Sequence, residues 1–493
     1  MKRELGLVLF FLLFGFCLHA QTLRPEQARA DFEYLKKKMD RLHPGIGQYI
    51  PEKTYDQLFD SLHRQLTQPL TYQAFFQTAT PLITSLQDGH TALLHRKKYY
   101  NKNRRLIPFY IRNVGPTYYI SHNLSSDSTL VRGTELLLIN QQPVAALHQL
   151  LQDVDRSGSD GDNQSGRRSR SLIAFSSYYY NWFGPSDSVQ VAFRLPNDTL
   201  IRTRFVRCEN RKVIDAYLTK RYKKELNQTP NLSVKPVDSL AHTAVLRVST
   251  FNGNLADFLT GKFPRKLKRA FREIERKEIT NLVVDVRSNG GGAVKNSARL
   301  LQYWIPRPFR LMERETMKRG FRSAFVTWYN PVTWVLFPVF YKKDPSGGYK
   351  ERFAGRPHQP KTRYAYRGHL YFLVNGASYS ATATVLAQTL NNQLGTFVGE
   401  ATGGAYWGDF AGQFKMITLP HSGLRVRIPL KRMAHAVDPR RANGFTVEPD
   451  FPVERTYDDL LHGRDFGMQY TLQLIKEGKV ADRGRASKSL SEN

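Results

Sequence analysis

Cysteine is almost missing from this chain: Cys17 and Cys208 are the only two in 493 residues. Cys17 falls in a leader-like stretch, so the mature chain is expected to keep one thiol and no intramolecular disulfide is possible. Cys208 reads as a small buried hydrophobe rather than a nucleophile. Acid is scarce beside base, with 42 Asp and Glu against 73 Lys and Arg and a formal charge of +31. Long apolar runs are also missing. Leu5 to Phe16 and Trp334 to Tyr341 are both too short to span a bilayer. The histidines are scattered without metal-ligand spacing, and the glycine loop at 288–292 fits neither the Walker pattern nor GxGxxG. No metal, nucleotide or other cofactor is therefore expected.

The composition that is present, 41% hydrophobic and 12% aromatic, is that of a globular protein. Lys2 and Arg3, the apolar run and Cys17-Leu-His-Ala20 read as a secretory signal peptide, residues 1–20, cut after Ala20. Phe16 stands where a lipidation signal needs a small residue. The expected location is exported, periplasmic or at the cell envelope. A basic balance this large usually suggests nucleic acid. Export argues against that and leaves an anionic membrane or envelope surface, or a generally basic composition, as its meaning. No pattern in the chain sets an oligomeric state.

The pattern divides the rest. Residues 21–97 read as a helical subdomain of three helices, with Phe32, Leu35, Met39 and Leu42 on one face of the first. The third ends at Asp88-Gly89 and delivers His90 in a tight turn. A neutral imidazole there suits a general base; it also suits a surface or capping histidine. Residues 104–207 read as a small β-rich domain, with Asp155 to Arg170 as a mobile loop inside it. Residues 208–240 form a charged connector. Residues 241–475 alternate strand and helix. They include the apolar strand Leu282 to Val286, the loop Ser288 to Gly292, and an insertion at 305–366. The insertion reads as a lid, a membrane- or partner-touching segment, or a buried strand pair. The tail, 476–493, is basic and reads as disordered.

The stretch Tyr371 to Gly404 organises the whole: a strand, an Asn375-Gly376 turn, a helix and a second short strand. A hydroxyl at a strand-to-helix turn is exposed beside unpaired amides and a partial positive charge, where an oxyanion is stabilised. Ser380 sits there, with Ser378 as its competitor. Both also read as N-cap serines.

Four pieces then stand in order: DGHT at 88–91, VVDVRSNGGG at 283–292, SYSAT at 378–382 with GEATGG at 399–404, and VEPD at 447–450. Together they resemble the carboxyl-terminal-processing serine peptidases, the family that includes tricorn protease. The resemblance implies a crotonase-like α/β core beside the helical subdomain. It also implies a degenerate PDZ-like domain at 104–207, where RGTELLLINQQPV carries the likeness. The bacterial processing branch places a lysine shortly after GE-T. Here that position is Ala405, and no lysine lies between Glu400 and Phe414. The resemblance is thus to the tricorn branch, whose base is a histidine, matching His90. The serine that precedes the base in that branch is replaced by Gly89.

By this resemblance Ser380 attacks the peptide carbonyl and His90 takes its proton. The amides of Gly291 and Ala381 hold the oxyanion, with Gly290 as the alternative to Gly291. Glu400 and Asp438 are the candidates for the carboxylate that orients His90, and His435 is a rival base. The expected partner is a polypeptide or peptide added as a strand beside the site, with the PDZ-like region taking a C-terminus. The competing class is a secreted peptide- or ligand-binding protein of the same fold with an inactive site. Gly89 and Ala405 favour it, as do the family's retinoid-binding relatives.

Overall fold

The computed structural model describes residues 22–100, 104–223, 225, 231–252, 261–326, 331–345, 347–442 and 444–482. The expected leader and the end of the tail lie outside these. Among the described residues no helix is long and apolar enough to cross a membrane. The architecture is mixed α/β, with three larger sheets.

The helical subdomain contains α1 (Pro25–Leu42), α2 (Glu52–Arg64) and α3 (Tyr72–Thr84). Its apolar faces, including Phe32, Leu35, Met39, Phe75 and Leu82, pack against one another and against Val426, Ile428 and Leu430 of the late chain. A short strand, β1 (Ala92–Leu94), follows α3.

The second unit is an antiparallel sheet of β2 (Phe109–Val114), β3 (Thr117–Asn123), β4 (Glu135–Ile139), β5 (Ser188–Arg194) and β6 (Ile201–Arg207), in the order β6-β5-β4-β3-β2. Three helices, α4 (Val144–Val154), α5 (Gln164–Ile173) and α6 (Phe175–Phe183), sit between β4 and β5. The expectation of a mobile loop over Asp155 to Arg170 is corrected here. Its second half is α5, capped by the Asn163 side chain on Gly166 N. Its first half is pinned by backbone bonds from Gly158 N to Gly89 O, Gly161 N to Gln87 O and Asp160 N to Gly403 O. The segment is polar because it satisfies buried backbone groups, not because it is solvated.

The connector holds α7 (Arg211–Tyr222) and β7 (Leu232–Pro236). The core sheet then runs β7-β8-β9-β13-β14-β17, built from β8 (Thr243–Val248), β9 (Asn281–Asp285), β13 (His369–Val374), β14 (Thr396–Gly399) and β17 (Phe451–Pro452). Only β7 is antiparallel. Parallel strands covered on both faces need near-continuous apolar sequence, which NLVVD and HLYFLV supply. One face is covered by α8 (Lys262–Arg276), α9 (Val294–Leu301) and α12 (Ala381–Asn391) through residues such as Phe271, Leu300 and Val385. The other is covered by α13 (Phe466–Lys476) through Leu474 and Ile475. Asp285, the polar residue in this apolar run, is held by Arg287, whose guanidinium also reaches Asp465 at 2.6 Å.

The third sheet is antiparallel. It has the order β11-β12-β10-β16-β15, with β1 added beside β16. Its strands are β10 (Met312–Met317), β11 (Tyr341–Lys343), β12 (Tyr349–Glu351), β15 (Gly408–Thr418) and β16 (Arg425–His435). Residues 305–366 thus contribute three of its strands. They also carry two helices, α10 (Phe321–Phe325) and α11 (Pro331–Phe340). The run Trp334 to Phe340 is helical, so the buried strand pair is not what forms.

Candidate active site

Ser380 leaves the end of β13 through the Asn375-Gly376 turn and stands at the N-cap of α12 with φ 57° and ψ −126°. A non-glycine residue in that region is strained and persists only where its surroundings enforce it. Its hydroxyl makes no capping bond. Ser378, its competitor, is buried; its hydroxyl donates to Val286 O at 2.9 Å and accepts from Asn375 N. Ser378 therefore fastens the turn, and the hydroxyl left for chemistry is that of Ser380.

That hydroxyl lies 3.1 Å from His90 Nε2. The turn after α3 carries His90, and β1 clips the turn to β16 through the pairing of Ala92 with Arg427. Arg427 Nε also donates to His90 O at 2.8 Å. On the other side of the ring, Nδ1 is 2.8 Å from the Tyr379 hydroxyl, which itself donates to Asp160 Oδ1 at 2.8 Å. Because the phenol proton goes to Asp160, the imidazole proton sits on Nδ1 and donates to the phenol oxygen. Nε2 is then free to accept from Ser380. Burial, together with the nearby Asp160 charge, holds the Tyr379 pKa well above its ordinary value, so the phenol keeps its proton.

The loop following β9 lies against the candidate nucleophile. Gly291 has φ +97°, and a Cβ added there would stand 2.7 Å from Ser380 Cβ. The family match is decided by this part of the chain: a model of peptidase family S41 matches residues 242–453. Over those residues the chain is similar to the S41 peptidases. The S41 match makes it a serine-type peptidase. Two solved structures of mature CPAF, one complexed with lactacystin, align with it at TM-scores of 0.66 and 0.61 and 16% identity each. They cover 92% of this chain, which covers 98% and 97% of theirs. At that identity the likeness speaks to the fold. No curated protein matches the chain.

The S41 segment supplies Ser380, Tyr379 and the glycine loop. His90 and Asp160 come from outside it. Gly89 explains how they fit. A Cβ at residue 89 would lie 2.6 Å from the Tyr379 hydroxyl. The phenol and the Gly158–Ser159 backbone together occupy the space that a side chain at 89 would need, and Gly89 N donates to Asp160 Oδ1. Neither expected carboxylate reaches the imidazole. Glu400 accepts a bond from Gly376 N at 3.4 Å. Asp438 caps the short turn at Pro439–Arg441 and binds Arg440. Sequence reasoning missed both Tyr379 and Asp160; the bulky Tyr379 beside a glycine at 89 was the available signal.

His435 is buried with both ring nitrogens engaged, Nδ1 on Tyr406 O at 2.8 Å and Nε2 on Thr384 Oγ1 at 3.0 Å. Lys431, opposite Ala411 on β15, is bound by Glu315 and Glu351. Burial opposes its charge, but these two carboxylates outweigh it and raise the pKa, so it does not serve as a neutral base.

The Gly291 amide donates to Asn289 Oδ1 at 2.9 Å. The oxyanion role expected of that amide is thus already met by a side chain, leaving Gly290 as the loop candidate. Gly290 is exposed, with open space where a Cβ would go. Ala381 is the first residue of α12 and its N–H has no partner within the helix.

Three buried aspartates lie around the site. Asp88 Oδ1 is 3.9 Å from His90 Nδ1 and accepts from His90 N. Burial works against its charge, but bonds from His43 and Thr91 hold its pKa below the ordinary value. Burial raises Asp160 well above the usual carboxylate range, helped by the charges of Asp88 and Asp409. Burial pushes Asp409, which faces the Ser380 hydroxyl, up to about 7. Burial takes His90 down to about 4, against a smaller upward pull from Asp88. Asp88, His90 and Asp160 converge closely enough to hold a cation. However, the Tyr379 hydroxyl stands between His90 Nδ1 and Asp160 Oδ1 and engages both. A cleft of about 880 Å³ opens beside the site, lined by Arg112, Arg168, Ser288, Asn375, Glu400 and Arg455 among others.

Proposed function

We propose that this chain is an exported serine peptidase that hydrolyses peptide bonds of unfolded polypeptides through Ser380 and His90. The observation that carries the reading is the 3.1 Å contact between His90 Nε2 and a Ser380 hydroxyl that makes no capping bond. His90 accepts the hydroxyl proton as Ser380 attacks, and returns it to the leaving amine. The Tyr379 oxygen, oriented by its bond to Asp160, accepts from His90 Nδ1–H and stabilises the resulting imidazolium, with Asp88 behind it. The amides of Ala381 and Gly290 receive the oxyanion. The core is proposed to be crotonase-like and the 104–207 unit PDZ-like. An extended substrate would lie along the cleft between them, reaching Ser380 past Ser288 and Asn375. The lining of that cleft mixes six arginines with five carboxylates, so it selects no single charge in the substrate.

A fluorophosphonate probe tests this on the full chain. It is expected to label Ser380, to fail with Ser380→Ala, and to label His90→Ala slowly. Absence of labelling on a folded wild-type protein refutes the hydrolase and leaves the inactive binding protein.

A further inference from the structure

Helix α11 (Pro331–Phe340) contains no charged side chain and lies open to solvent. Val332 is 58% exposed, Trp334 53%, Val335 69% and Val339 49%. Leu336 and Phe340 are exposed too. Its one buried anchor is Phe337, whose ring meets Tyr349 at 5.0 Å and Tyr341 at 5.2 Å between centroids. A helix apolar nearly all round is normally covered. Scattered exposed hydrophobics need no explanation, but a contiguous patch marks an interaction surface. Ten residues rise about 15 Å, half the thickness of a hydrocarbon core, so the helix cannot cross one.

The collar around the helix identifies the partner. Lys342 and Lys343 follow it directly and are exposed, as are Arg322, Arg352 and Arg356. Arg352 Nε donates to Pro338 O, tying the collar to the helix. Residues 310–363 carry twelve Lys and Arg against four Asp and Glu. Three of those acids are already spent, Glu315 and Glu351 on Lys431 and Asp344 on Arg314. A second copy docked by this face would bring the same cations against themselves, since a two-fold interface is self-facing. An apolar strip with an exposed tryptophan, ringed by unneutralised cations, matches a lipid surface bearing negative headgroups.

We infer that α11 and its basic collar seat the protein on an anionic lipid surface, with Trp334, Val335 and Val339 entering the headgroup–acyl boundary. The surface is separate from the hydrolytic reading and does not depend on it.

The test is flotation of the full chain with vesicles of phosphatidylcholine alone or mixed with phosphatidylglycerol. Wild type is expected to float with the mixed vesicles at low salt and not with phosphatidylcholine alone. Val332→Ser/Trp334→Ser/Val335→Ser is expected to weaken that binding about tenfold or more, by loss of buried apolar area. Lys342→Glu/Lys343→Glu tests the collar separately. It is expected to abolish the low-salt binding while the thermal transition stays at its wild-type position. The inference is overturned if wild type ignores the mixed vesicles or if both variants float as wild type does. It is also overturned if wild type sediments as a dimer that the triple variant dissolves, because a second copy would then cover the helix.

Discussion

Replacing Tyr379 by phenylalanine isolates the device that distinguishes this site. The ring stays, and with it the tilted packing on His90 at 4.7 Å between centroids. The hydroxyl goes, and with it the two 2.8 Å bonds to His90 Nδ1 and Asp160 Oδ1. Both partners are buried, so no bulk water replaces what is lost. In the resting site the missing bond is a neutral one. In the transition state it is a bond to an imidazolium, and hydrogen bonds to charged groups contribute about 1.5–3 kcal/mol. The barrier should rise by roughly that amount, or about 10- to 150-fold in kcat. The loss should stay smaller than that of His90→Ala, because Asp88 remains 3.9 Å from Nδ1.

KM should barely move, because Tyr379 is 5% exposed and does not line the cleft. The assay is hydrolysis of an unstructured quenched-fluorescence peptide with kcat and KM separated. The thermal unfolding transition and the fluorophosphonate inactivation rate are read on the same samples. A Tyr379→Phe enzyme with wild-type folding and a kcat within twofold of wild type would show that nothing passes through the phenol. Asp160→Asn should follow the same pattern. The amide oxygen still accepts from Tyr379 but cannot ionise in response to an imidazolium forming on His90.

Gly291→Ala should cost about 100-fold in kcat. It places a Cβ 2.7 Å from Ser380 Cβ at φ +97°, where backbone strain alone amounts to about 1–3 kcal/mol; a lowered unfolding midpoint and slower probe labelling report the two effects. Glu400→Gln and Asp438→Asn should keep kcat within about threefold of wild type, since neither carboxylate touches the imidazole; a large loss from either would reinstate it as the orienting group. The acid limb of kcat/KM should fall near pH 4 rather than near the ordinary histidine value. A base must be neutral, and burial lowers the His90 pKa to about 4, which keeps it neutral down to there. A limb near 6.5 in the pH–rate profile would mean that His90 is solvated in the working enzyme.

The parts of the site legible from sequence were those determined by local chemistry. An apolar run, Asn-Gly and then small residues dictate a strand-to-helix turn wherever the chain goes, so Ser380 stood out. Asp-Gly after a periodic helix dictates the turn that presents His90. The Asn289 side chain turning back on the Gly291 amide is equally local, an Asx turn two residues long, and it was readable but overlooked. Apolar runs fixed β9 and β13 for the same reason. The run at 334–341 was ambiguous between helix and strand because short apolar runs carry no distinguishing period.

What escaped depends on complementarity between distant segments. Asp160 sits in a polar stretch whose composition is that of a solvated loop. It is buried because the stretch makes backbone bonds to Gln87, Gly89 and Gly403 and its own carboxylate accepts from Gly89 N and Tyr379. Tyr379 reaches both His90 and Asp160 because residue 89 lacks a side chain, a relation across 290 positions that neither segment reveals alone. Gly89, which favoured an inactive site when considered by itself, instead opens the space that the phenol fills. A position that departs from a family pattern must therefore be judged with whatever occupies the space it vacates. Here that occupant is the residue next to Ser380, so one short segment supplies both the proposed nucleophile and the hydroxyl bonded to the proposed base.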